Sequence, residues 1–157
     1  MINEGIKIEL LAHHKNLIPT IAQWYLSVFG RAGTTMEKCE KALQNRLNTD
    51  CFDCCFLAFI EDEVVGTVSL TANDIPTKSD LNPCVTQLFV SEKYRHQGIG
   101  QSLVKYAKQK LKDMNFQKAY LYTTNKTIHE WYEKLGWKII DESIVYDIAI
   151  KIMECEL

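Results

Sequence analysis

The residues best placed to do chemistry are Arg95-His96-Gln97-Gly98-Ile99-Gly100. They follow an apolar, β-prone run, Val85-Thr86-Gln87-Leu88-Phe89-Val90, and open a stretch from Gly98 to Met114 with helical spacing. A strand, a glycine-containing turn and a helix N-terminus together make an anion site. Backbone N–H groups without intrahelical acceptors point outward there, and the helix dipole favours negative charge. Glycine lets a phosphate approach the backbone closely. The pattern predicts a phosphate or pyrophosphate guest held by the backbone amides from Arg95 to Gln101. No Gly-Lys-Ser/Thr follows, so this is not the loop of a nucleoside triphosphatase. A third glycine is missing, so it is not the dinucleotide fingerprint.

Other reactive side chains form weaker patterns. The cysteines are Cys39, Cys51, Cys54, Cys55, Cys84 and Cys155. Cys51-x-x-Cys54-Cys55 has no second Cys or His pair at ligand spacing, so these residues read as buried strand thiols and no metal is expected. His96 sits in the glycine turn and His129 on a short helix. No Ser–His–Asp or Cys–His set can be assembled, so a covalent intermediate on the protein is not expected.

The elements that position these residues follow from periodicity. Ile6 to Leu11 alternates as a first strand. A helix is predicted from Leu17 to Phe29, with Pro19 in its first turn and a stripe of Ile18, Ile21, Tyr25 and Val28. Thr34 with Glu37 reads as a capping box for a second helix carrying Met36, Cys39, Leu43 and Leu47. Cys54 to Ile60 is a buried strand, Glu61-Asp62-Glu63 a turn, and Val64 to Thr71 the return strand of a hairpin. Asn73 to Pro83 is loop. The helix after the turn points Ile99, Leu103, Ala107, Leu111 and Met114 inward. Ala119 to Thr124 should lie parallel to the Thr86–Val90 strand, through a right-handed crossover. Thr127 and Glu130 suggest another capping box, and Gly136 a helix stop. Trp137–Ile140 and Ile144–Met153 close the chain as two strands.

The expectation is one α/β domain over 1–157: a mixed, largely antiparallel sheet of six to seven strands with a parallel central pair and helices on both faces. In such sheets ligands bind at the carboxyl ends of parallel strands, here Val90 and Thr124. The 157 residues are enough for a real core, and 24% charged residues with a formal charge of −2 leave no basic footprint for nucleic acid. No apolar run is long enough to span a membrane, and Glu4, Lys7 and Glu9 interrupt any leader pattern. A cytoplasmic protein is expected. The apolar alternation of Val145–Cys155 leaves a homodimer through an exposed strand open.

Leu88-Phe89-Val90, Tyr94 through Gly100 and Leu103-Val104 resemble the acyl-CoA-binding motif of the GNAT superfamily of N-acetyltransferases. Asn125 followed by Trp131-Tyr132-Glu133-Lys134-Leu135-Gly136-Trp137 resembles that family's second signature. The resemblance implies the GNAT fold and acetyl transfer from acetyl-CoA, the co-substrate, to a primary amine by direct attack in a ternary complex. It implies that Leu88, Phe89 and Val90 hold the acyl end through backbone groups. Arg95, His96, Gln97, Gly98, Ile99, Gly100 and Gln101 would hold the pyrophosphate. Asn125 would bond the pantetheine arm or fix its loop, and Tyr132 would contact the sulfur as general acid. The N-terminal helices would line the acceptor side. Relatives often place a Glu on the strand before the turn, where this chain has Cys84, Thr86 and Gln87. Deprotonation is therefore expected through water, assisted by Asp74, Asp80 or Glu142. An acyl-CoA sensor without turnover is the alternative reading.

Overall fold

The computed structural model describes residues 5–50 and 52–157. Cys51, which opens the Cys51-x-x-Cys54-Cys55 run, and Glu4 lie outside them. Seven strands are hydrogen-bonded in the order β1-β2-β3-β4-β5-β7-β6. They are β1 (Ile6–Leu10), β2 (Cys54–Ile60), β3 (Glu63–Thr71), β4 (Cys84–Val90), β5 (Lys118–Thr123), β6 (Lys138–Val145) and β7 (Ile148–Glu156). The helices are α1 (Ile18–Phe29), α2 (Met36–Gln44), α3 (Ile99–Asp113) and α4 (Lys126–Lys134). The pairs β1–β2, β2–β3, β5–β7 and β6–β7 are antiparallel, and β4–β5 is parallel. This is the expected mixed sheet with one parallel pair. Among the described residues no helix is long and apolar enough to cross a membrane.

By its internal contacts the chain divides into two compact units, residues 1–70 with 87–104 and residues 71–86 with 105–157. The cut passes through β4 and α3. In the first unit, α1 and α2 bury Ile18, Ile21, Ala22, Tyr25, Cys39 and Leu43 against Cys55, Leu57 and Phe59 of β2. Burying each large aliphatic side chain contributes about 1.5–3 kcal/mol, so this cluster and not helix propensity holds the two short helices. Val28 was expected in the stripe but is 51% exposed. It lies in the last turn of α1, and Ala22 supplies buried surface in its place. In the second unit, Ile75, Cys84, Val145, Ile150 and Ile152 pack together.

Both predicted capping boxes are displaced. Thr34 is spent on the α1–α2 turn, where its Oγ1 accepts from Arg31 N–H at 3.1 Å. Thr35 caps α2 instead, accepting from Lys38 N–H. Asn125 caps α4, ahead of Thr127, with its Oδ1 accepting from Thr127 N–H at 2.8 Å and Ile128 N–H at 3.4 Å. The closing strands also differ from expectation. β6 runs through the acidic Asp141-Glu142 with a register shift between Ile139 and Asp141. The chain reverses at Tyr146-Asp147, both left-handed at φ +51° and +63°. Two left-handed residues form the turn whose twist matches a tight hairpin. β7 therefore lies inside the sheet between β5 and β6.

Candidate functional site

The residues singled out from sequence fall into two groups, one in each unit. The first lies on β4, the following turn and the start of α3. The β4 backbone is interrupted at Gln87, which is left-handed at φ +51°. Its pairing with β5 is through Cys84, opposite Tyr120, and Tyr120 N–H donates to Pro83 O at 3.0 Å. A left-handed residue inside a strand breaks the regular alternation and takes backbone groups out of the ladder. Nothing in the sequence marks Gln87 for this, since left-handed backbone favours Gly, Asn or Asp.

Beyond β4 the chain turns through Glu92–Tyr94 and then through two left-handed residues, His96 at φ +63° and Gly98 at φ +83°. Gly98 is where the missing Cβ matters, because this conformation strains other residues. Ser102 N–H donates to Gly98 O at 3.0 Å and is the first intrahelical bond of α3. The N–H groups of Ile99, Gly100 and Gln101 precede it and have no intrahelical acceptor. They are the groups to which the sequence reading assigns an anion. Arg95 differs from its sequence reading. Its backbone N–H is spent on Glu92 O at 3.3 Å, its Nε donates to Val90 O at 2.9 Å, and its guanidinium lies 5.4 Å from the centre of the Phe89 ring. Arg95 thus locks the turn onto the end of β4. Phe89 also meets Trp24 of α1, ring centres 4.9 Å apart.

A second feature of the first unit went unseen in the sequence. Arg46 Nη1 donates to Gln87 Oε1 and to Tyr25 Oη, the latter at 3.3 Å. Tyr25 is 2% exposed and its hydroxyl also meets Ser69 Oγ at 3.2 Å. Burial pushes the Tyr25 phenol well above its usual range. Tyr25 and Gln87 form part of the wall of a cavity of about 270 Å³ that is also lined by Phe29, Arg31, Thr34 and Lys38.

The second unit carries Asn125 and Tyr132. Asn125 caps the start of α4. The end of α4 is closed by Trp137 N–H to Tyr132 O at 3.1 Å and Gly136 N–H to Glu133 O at 3.1 Å, the paired bonds of a Schellman stop. Between these ends Tyr132 is 6% exposed, with its ring edge-on to Trp131 and Trp137 at 4.9 and 5.8 Å. Burial pushes its phenol up and holds it protonated through the neutral range. A cavity of about 530 Å³ lies in this unit among Thr123, His129, Glu142, Ser143, Ile150 and Lys151. His129 Nδ1 is 3.3 Å from Thr123 Oγ1.

The three carboxylates expected as proton acceptors are separated by their surroundings. Glu142 is exposed and ion-paired with Lys151. Asp80 is exposed. Asp74 is half-buried, and its carboxylate accepts from Thr86 Oγ1 of β4 at 2.7 Å. The two residues are 12 apart in sequence, beyond the reach of any local pattern. Among the described residues Cys39, Cys54, Cys55, Cys84 and Cys155 are buried. Cys55 Sγ lies 3.2 Å from Thr67 Oγ1, and burial pushes the Cys55 and Cys84 thiols up, Cys84 to about 12.

Residues 18–137 match the profile of the Acetyltransferase (GNAT) family. The chain is 30% identical over 100 residues to N-acetyltransferase 8B of Homo sapiens, an alignment covering 62% of the chain and 44% of that protein. It is 35% identical over 85 residues to N-alpha-acetyltransferase 30 of Homo sapiens, covering 53% of the chain and 23% of that protein. The chain therefore spans less than half the length of these curated relatives. The paia N-acetyltransferase of Thermoplasma acidophilum, solved in complex with coenzyme A, superposes with a TM-score of 0.72 at 20% identity, over 97% of this chain and 99% of that one. At that identity the likeness is one of fold.

Proposed function

Because the chain belongs to the GNAT acetyltransferase family, we propose that it transfers an acetyl group from acetyl-CoA to a primary amine by direct attack within a ternary complex. The observation that carries this reading is the turn into α3. Left-handed His96 and Gly98 lead from β4 into three N–H groups that have no intrahelical acceptor. That arrangement suits a pyrophosphate, because its donors are backbone groups at a helix N-terminus and need no countercharge. Ile99, Gly100 and Gln101 would hold the phosphates, with His96 and Gln97 shaping the loop and Arg95 bracing it against Phe89 and Val90. Acetyl-CoA, when bound, supplies the acyl group as a thioester.

The remaining steps belong to the chain's own residues. A backbone N–H of the Leu88–Val90 segment donates to the thioester oxygen as it gains negative charge. The left-handed Gln87 supports this, since such a residue inside a strand breaks its regular alternation. Tyr132 donates a proton to the departing sulfur. The departing thiolate, whose conjugate thiol has a pKa of about 8.5, takes its proton from the buried neutral phenol as the carbon–sulfur bond breaks, which is general-acid behaviour. Asn125 holds the helix that carries Tyr132. Asp74, oriented by Thr86, accepts the amine's proton through water. Cytoplasmic location and a homodimer stay with the sequence reading.

The test is product analysis with acetyl-CoA and a panel of amines, with initial rates measured over both substrates. An N-acetylated product of the expected mass and intersecting double-reciprocal lines are expected. Parallel lines with an isolable acylated protein would contradict direct attack. Tight acetyl-CoA binding with no product from any amine would move the assignment to a sensor.

A further inference from the structure

The acceptor is the part of this reaction the family leaves open, and the cavity behind Gln87 bears on it. Among the described residues its wall includes two cations, Arg31 and Lys38, and no Asp or Glu. Directly behind the wall is a third, Arg46. This guanidinium is half-buried, and its hydrogen bonds go to uncharged oxygens, Gln87 Oε1 and Tyr25 Oη. Among the described residues no carboxylate is ion-paired with Arg46. A half-buried cation with neutral partners keeps its charge uncompensated, and its field extends through Gln87 and Tyr25 to whatever lies against them. Lys38 is positioned by donation to Gly33 O at 2.9 Å, and Arg31 by the Thr34 turn.

On the transferase reading above, we propose that this cavity binds a carboxylate of the acceptor, so that the preferred substrates are small amines bearing a carboxylate a few bonds from the nitrogen, amino acids and short peptides among them. Three features converge on it. The sign of the charge selects an anion. The volume, about 270 Å³, lies just under the lower end of ligand pockets, about 300 Å³, which suits a small acceptor. Gln87 belongs both to the cavity wall and to β4, one residue before the Leu88–Val90 segment assigned to the thioester. Consecutive Cα atoms are about 3.8 Å apart. An amine two or three bonds from an anchored carboxylate therefore has the reach to meet that segment.

The experiment compares kcat/KM for matched pairs, glycine against glycinamide and alanylglycine against alanylglycinamide, in the native protein, Arg46→Gln and the surface double variant Arg31→Gln/Lys38→Gln. In parallel, N-acetylglycine and N-acetylglycinamide are titrated into isotope-labelled protein while the Gln87 side-chain amide is followed by NMR. The expected result is at least a tenfold preference for the acids that collapses towards one in both variants, with N-acetylglycine alone shifting the Gln87 signal. The double variant keeps the test decisive if Arg46→Gln fails to fold. Turnover with equal rates for acid and amide overturns the carboxylate subsite and leaves the transferase standing. No turnover of any amine with a selective N-acetylglycine shift upholds the anion site and overturns the transferase. Neither turnover nor shift overturns both.

Discussion

At the residue scale, Tyr132 and Asp74 are two side chains whose surroundings differ from what their types suggest. Tyr132 was legible as a candidate because its place between Asn125 and Leu135-Gly136-Trp137 carries a signature. Its burial was not legible, because the Trp131 and Trp137 rings that enclose it do so only once α4 is folded. That burial has a consequence for pH. A phenol held above its ordinary value of about 10 stays protonated further into alkali. The limb of the rate profile due to Tyr132 should therefore begin above pH 10, as measured on kcat with saturating substrates. A limb near pH 8 that persists in Tyr132→Phe would belong to another group. Asp74 was one carboxylate among three in the sequence. Its 2.7 Å bond from Thr86 now separates it from Asp80 and Glu142. Asp74→Asn should lower kcat/KM by about a hundredfold and alter the pH–rate profile, as loss of a general base does. Thr86→Val removes a hydrogen bond to a charged group, and should cost about tenfold or more. Equal activity in Asp74→Asn and the native protein would return the assignment to bulk water.

At the scale of elements, the strands, the four helices and the parallel pair could be read from alternation, helical spacing and the crossover rule. Caps and turns were the misplaced features. Thr34 and Thr127 each satisfy the capping pattern, yet neighbouring residues took the role once the backbone direction was set. The Tyr146-Asp147 reversal carries none of the glycine that normally announces such a turn. Asn125 belongs to the signature read from sequence and also caps α4. Asn125→Ala should destabilise the protein by about 1 kcal/mol through loss of the α4 cap, while Asn125→Asp should restore most of that stability. Chemical denaturation midpoints distinguish the two. Gly66 of β3 is a second element-scale constraint. A Cβ there would lie 3.0 Å from Phe89 O, 3.0 Å from Leu103 Cδ1 and 3.4 Å from Ile99 Cγ2. The carbonyl cannot swing away as a side-chain tip can. Gly66→Ala should cost about 1–3 kcal/mol by overpacking. It should also lower acetyl-CoA affinity, because Phe89 and Ile99 flank the turn. Denaturation midpoints and titration calorimetry read the two effects.

For the molecule as a whole, buried acids set the pH range of stability. Tyr25 and Tyr132 are phenols, and Cys55 and Cys84 thiols, whose burial raises the pKa in the folded state. Unfolding frees them to ionise at about 8.5 for thiols and about 10 for phenols. Their contribution is complete below those values. It is lost as pH rises through the interval between unfolded and folded pKa, where the unfolded chain binds fewer protons. Urea midpoints should be level near pH 7 and fall progressively from about pH 9 to pH 12. A midpoint unchanged at pH 11 would contradict the burial of these groups. The central claim, acetyl transfer with Tyr132 as acid, is tested most directly by amine-dependent thiol release from acetyl-CoA in the native protein and in Tyr132→Phe. The account predicts release that requires an amine and drops by about a hundredfold or more on substitution. Equal rates in the two proteins would contradict it.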